Sequence, residues 1–151
     1  MAGQWDIVRS AIATKLSASA GCTTAGLRKA DTNVDDPLVP PCIRVLQVSG
    51  FELTDRPNAN QESYTLTIPA ELVVAIPAGR KRSHPIAADI ARAAQVEFQS
   101  GIKLGLPTYV VECRLMSWSE GLQDLADTDL DGGRITFQVD VTETIATART
   151  A

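Results

Sequence analysis

The run YTLTIPAELVVAI, residues 64–76, constrains the fold of this chain more than any other segment. Tyr64, Leu66, Ile68, Ala70, Leu72, Val74 and Ile76 take every even position, with Thr65, Thr67, Pro69 and Glu71 between them. Such alternation places one set of side chains on a buried sheet face and the other toward water. The run is about twice the length of a mean strand. Pro69 has no amide hydrogen to give to a ladder, so part of this strand must be an edge or a bulge.

The flanking segments supply the rest of a compact domain. In the first twenty residues Trp5, Val8, Ile12 and Leu16 recur at steps of three and four, which predicts an amphipathic helix closed by Gly21. Residues 21–42, rich in Gly, Asp and Pro, predict an extended connection without a regular element. Connections of that length are more often functional or ordered by a partner than decorative. From Cys42 the period becomes two, and Ile43, Val45 and Val48 lead a strand ending near Leu53, followed by the turn-rich link TDRPNANQE. In AGRKRSHP (78–85) Ser83 is placed to cap a helix carrying Ile86, Ile90, Ala93, Ala94 and Phe98, closed by Gly101 and Gly105. Strands near Tyr109–Trp118 and Arg134–Thr144 end the pattern, joined by SEGLQDLADTDLDGG.

The order helix, two strands, helix, two strands predicts an α+β fold over residues 1–145. It comprises a mainly antiparallel four-stranded sheet with two helices packed on one face, and residues 146–151 form a flexible tail. The formal charge of −4 argues against affinity for nucleic acid over the whole surface. Cys22, Cys42 and Cys113 are odd in number and far apart, so they read as buried free thiols rather than a disulfide frame or zinc set. Asp6, Arg9 and Lys15 interrupt any apolar run at the N-terminus, which excludes a signal peptide there, and no apolar run is long enough to cross a bilayer as a helix. A soluble chain used without export is expected.

Two polar clusters invite a functional reading. Asp127, Asp129 and Asp131, followed by Gly132, imitate the first half of a calcium loop. Position eight is then Arg134 and position twelve Gln138, where a calcium loop needs an apolar residue and a bidentate Glu. A solvated turn before a strand is the better reading, and no metal is expected. Arg80, Lys81 and Arg82 precede a helix N-terminus, where positive charge is mildly unfavourable. They suit an anion, an acidic protein partner or simple solvation. His84 is the only histidine, and no nucleophile, phosphate-loop or dinucleotide motif accompanies it, so neither an enzyme nor a cofactor is expected. Trp5 and Trp118 read as core or interface anchors.

The sequence of segments WDIVRSAIATKL, VPPCIRV, YTLTIPAELVVAI, HPIAADIARAAQVEF, MSWSEG and GRITFQVDVTET resembles the tail terminator proteins of long-tailed bacteriophages, the lambda-like minor tail protein U group. The likeness is one of order and texture and covers nearly the whole chain. It implies a non-enzymatic virion protein at the head-proximal end of the tail, assembled in the host cytoplasm. It further implies a homo-oligomer, a hexameric ring, that caps the tail tube protein and meets a head-side connector or neck protein. DNA would pass through the ring without specific binding, and no membrane is involved. Arg80, Lys81 and Arg82 are then expected to face a protein partner or the outside of the ring. The alternatives are a head-closure or neck protein of the same virion class, and a small anion-binding or enzyme domain using the 80–85 loop.

Overall fold

The computed structural model describes residues 4–32, 40–58, 61–75, 84–99, 104, 110–120 and 130–144. Three helices, α1 (Gln4–Ala18), α2 (Ala20–Thr24) and α3 (His84–Glu97), accompany six strands. These are β1 (Lys29–Asp31), β2 (Cys42–Val45), β3 (Gly50–Asn58), β4 (Gln61–Ala75), β5 (Val110–Glu120) and β6 (Leu130–Thr144). They form one sheet in the order β1-β2-β4-β6-β5, with β3 also paired to β4. All pairings are antiparallel except β1 with β2. The molecule is therefore a mixed α/β fold with six strands and three helices, which corrects the expectation of an α+β fold with four strands and two helices.

The correction has three local causes. First, Ala18 ends α1, but Ser19 starts a new helix at once: its Oγ accepts the Cys22 amide at 3.2 Å. Gly21 lies inside α2 against Ala93 of α3 and is not a stop. Second, the connection judged too irregular for any element holds β1, whose Lys29, Ala30 and Asp31 pair with Cys42, Ile43 and Arg44. Third, the single strand expected from Cys42 to Leu53 is two strands. Val45 faces Ala70 and Gly50 faces Thr67, so five steps on one side match three on the other.

That break lies opposite Pro69. The Leu46 amide donates to the Pro69 carbonyl at 2.8 Å, so the carbonyl points toward residues 46–49. A strand residue's nitrogen and carbonyl face the same side. The position without an amide hydrogen is thereby turned to the interrupted side, and the continuous partner β6 keeps its register across Thr136. Beyond the break β3 runs on to Asn58 through the stretch expected to be a link, and Pro57 is tolerated there because β3 has no second strand partner among the described residues.

The even positions of β4 form the floor of the core. Tyr64, Leu66, Ile68, Ala70, Leu72 and Val74 pack with Ile135, Phe137, Val139 and Val141 of β6 and with Ile43 and Val45 of β2. Helix α1 covers them with Val8, Ile12 and Leu16, and α3 with Ala87, Ile90 and Ala94. Phe98 meets Phe137 edge to face at 5.0 Å. Ile86, expected on this face of α3, is exposed instead, and Ala87 takes its place. Residues 145–151, which include the expected tail, lie outside the described residues.

Strands β4 and β6 are each fifteen residues long and pair along their whole length, a ladder of roughly 50 Å at the usual rise. Helix α1, also fifteen residues, spans only about 22 Å. No single helix spans the ladder, and α1 and α3 together cover the face on which every even position from Tyr64 to Val74 is buried.

Candidate assembly surfaces

Two surfaces and one buried network follow from this geometry. The first lies where the N-terminal turn of α1 meets the β3–β4 hairpin. Phe51 pairs with Leu66 and Leu53 with Tyr64, so both share the sheet face that elsewhere is core. They are nevertheless 53% and 47% exposed. Trp5, 41% exposed, leans over them with its ring centroid 5.8 Å from Phe51 and 6.4 Å from Tyr64. Its indole nitrogen donates to the Tyr64 hydroxyl at 3.3 Å. Trp5 thus fits the expected helical face by spacing, yet it anchors the margin of the core rather than its interior.

The second surface is the opposite, polar face of the sheet. Directly opposed residues of β4 and β6 bond across it: the Ser63 and Thr142 hydroxyls at 2.8 Å, and the Thr65 hydroxyl to Asp140 at 2.9 Å. Arg114 of β5 reaches the same carboxylate at 3.0 Å, and Arg134 pairs with Glu71 at 3.4 Å. These two ion pairs lie among hydroxyls, and Glu52, opposite Thr65 on the same face, has no ion-pair partner among the described residues.

The third feature is internal and was not legible as a site. Arg9, only 8% exposed, donates from Nε to the Leu46 carbonyl at 2.7 Å. Its Nη2 donates to the carbonyls of Val45 at 2.8 Å and Thr32 at 3.1 Å, and its Nη1 to Asp6 at 2.9 Å. These carbonyls stand at the end of β1 and at the break between β2 and β3, where ladder partners are missing. A planar guanidinium supplies several donors to them at once. The one sequence signal was a cation flanked by the buried positions Val8 and Ile12, three residues after an aspartate.

The residues singled out in the sequence are not gathered into one site. Arg80, Lys81 and Arg82 lie outside the described residues, as do Asp127 and Asp129. Asp131 is a ladder residue of β6 opposite Val74, and Gly132 follows it opposite Val73. A calcium loop would turn at that glycine, whereas here the backbone is extended. A Cβ on Gly132 would collide with the Leu72 backbone, and one on Gly133 with the Trp118 ring and the Ser119 carbonyl. The glycines therefore serve close strand approach. Among the described residues no three His, Cys, Asp or Glu side chains are grouped to hold a metal ion. His84 opens α3.

All three cysteines are buried free thiols. Burial pushes the Cys113 thiol up to about 12, with Arg114 opposing and Asp140 reinforcing the shift. Burial also raises Cys22, against the hydrogen bond with Ser19 and with the help of Glu97. Such thiols stay protonated and are poor nucleophiles. Among the described residues no helix is long and apolar enough to cross a membrane.

No family model matches the sequence. No curated protein matches it either. In structure it is similar to a chain of the virion of a native gene transfer agent particle, with a TM-score of 0.58 at 10% sequence identity. The likeness covers 93% of this chain and 99% of that one. At that identity the likeness establishes a shared fold.

Proposed function

We propose that this chain is a structural, non-enzymatic protein of a phage-like virion, and that its role is that of a tail terminator. In this reading copies of the chain form a ring, a hexamer, on the last layer of tail tube protein and offer the other side of the ring to the head-side connector. DNA passes through without specific contacts. The observation that carries the reading is the end-to-end fold likeness to a chain of a gene transfer agent virion, spanning nearly all of both chains. A likeness confined to one lobe would have little weight; this one includes the sheet and its helical cover alike.

The surfaces support it in physical terms. The described thiols are protonated, and the ion pairs lie within one element or tie strand to strand or helix to helix rather than converging on a cleft. What the fold does present is an edge strand, β3, whose apolar side chains Phe51 and Leu53 are left exposed on the core side of the sheet. Apolar sheet faces of this kind mark protein contacts.

Deleting the gene in its native genome tests the role. Loss of a terminator gives unattached heads together with tails of uncontrolled length. Normal-length tails with heads that leak DNA would instead identify a head-closure or neck protein, and unaltered infectious particles would overturn the virion assignment.

A further inference from the structure

We infer that β3 of one copy pairs with β5 of the next, so that the sheet continues from subunit to subunit; this rests on the ring reading and specifies its interface. Among the described residues β3 bonds only to β4 and β5 only to β6. Among these residues the sheet therefore ends on β3 at one edge and on β5 at another, and strand edges template further pairing.

The two edges are complementary in direction, in apolar content and in charge. β3 and β6 both run antiparallel to β4, and β5 runs antiparallel to β6, so β3 and β5 of one copy are antiparallel. Cyclic symmetry about an axis along the strands preserves strand direction, and so brings β5 of the next copy antiparallel to β3. The regular stretch of β3, Gly50–Leu53, has its counterpart in Glu112–Leu115, which lies between the two irregularities of β5. Placing Glu52 opposite Arg114 sets Phe51 against Leu115 and Leu53 against Cys113. All four of these apolar residues lie on the core side of their own sheets, because their partners Leu66, Phe137, Tyr64 and Val139 do. Met116, exposed at the β5 bulge, then sits beside the Phe51 end of the seam.

Charge selects this pairing over β3 with itself. Glu52 is exposed and makes no side-chain hydrogen bond or ion pair among the described residues. Arg114 uses Nη2 on Asp140, and its Nε has no hydrogen-bond partner. A β3–β3 pair centred on residue 52 opposes two Glu52 carboxylates, whereas the β3–β5 pair sets a carboxylate against a guanidinium. Directly opposed unlike charges stabilise a strand pair and like charges weaken it. The neighbouring copy covers Phe51, Leu53 and Trp5 in the same step.

Cross-linking of full-length chains tests the inference. Glu52→Cys and Arg114→Cys chains, mixed and mildly oxidised, should give a mixed dimer, since opposed residues of adjacent strands lie within disulfide reach. The double variant should give a ladder beyond the dimer on non-reducing gels, and the three native cysteines are buried and should not contribute. Dimers from Glu52→Cys alone, or from Arg114→Cys alone, would overturn it in favour of a two-fold seam. Sedimentation of the wild-type chain at the same concentration separates the two levels. An oligomer that fails to cross-link sinks the β3–β5 seam only, whereas a monomer sinks the ring reading as well.

Discussion

Replacing Arg9 by methionine tests whether the buried guanidinium holds the interrupted strand in place. The substitution keeps the volume and removes four hydrogen bonds, three of them to the carbonyls of Thr32, Val45 and Leu46. The bond to Asp6 contributes little, because that carboxylate's side chain is 59% exposed. Each carbonyl left without a donor costs about 1–3 kcal/mol where water cannot replace it. Thr32 and Leu46 are half-buried and regain part of this from solvent, while Val45 is buried and does not. The net expectation is a loss of roughly 3–5 kcal/mol, close to the cost of breaking a buried charged network from one side. For a chain of this size each kcal/mol lowers Tm by about 2–4 °C. Arg9→Lys keeps the charge but not the fork, and should fall between methionine and wild type. Asp6→Asn should stay within about 1 kcal/mol of wild type. Urea unfolding followed by the fluorescence of Trp5 and Trp118 reports on both ends of the sheet. An Arg9→Met variant with the wild-type midpoint would refute the reasoning, since it would mean that water or the backbone satisfies those carbonyls unaided.

Three further outcomes are expected. Because the Cys113 thiol is raised from 9.0 to about 12, the folded state keeps its proton where the unfolded chain has lost it, so stability should fall as pH rises through that window. The fall should exceed that of Cys113→Ala by up to about 4 kcal/mol in pH-dependent urea titrations, and equal slopes would refute it. Gly132→Ala should wedge β4 from β6 at Leu72 and cost about 1–3 kcal/mol or more, read as a lower Tm, whereas Gly50→Ala, with ordinary room against Thr67, should cost less. Millimolar calcium should leave Tm unchanged against an ionic-strength control, and a rise abolished by Asp129→Ala would reinstate a metal loop in residues 127–131.

Segments whose two faces differ chemically were legible in the sequence. The alternation from Tyr64 onward and from Ile135 to Val141 marks the two central strands because one face is core and the other is water. β1 was not legible, since Lys29, Ala30 and Asp31 are all half-buried and carry no period. The division of β2 from β3 was hidden for a different reason. Pro69 signalled an irregularity, but which neighbour absorbs it depends on the side to which the Pro69 nitrogen points, and that is a tertiary fact. Arg9 was read only as a charge that spoils an apolar run, because its partners are backbone carbonyls, which have no sequence signature. Trp5 shows the same limit: spacing assigns it to the apolar face of its helix but cannot say where the cover stops.

The break at residues 46–49 divides one flank of β4 into two lengths. On one side, β2 is clamped by β1, α1 and the Arg9 network; on the other, the β3–β4 hairpin projects like a cantilever supported along a single flank by β6. Across the break only β6 pairs with β4 without interruption, so β6 is the strand that keeps the two lengths in line, and the core residues Tyr64 and Leu66 of the hairpin rest on it.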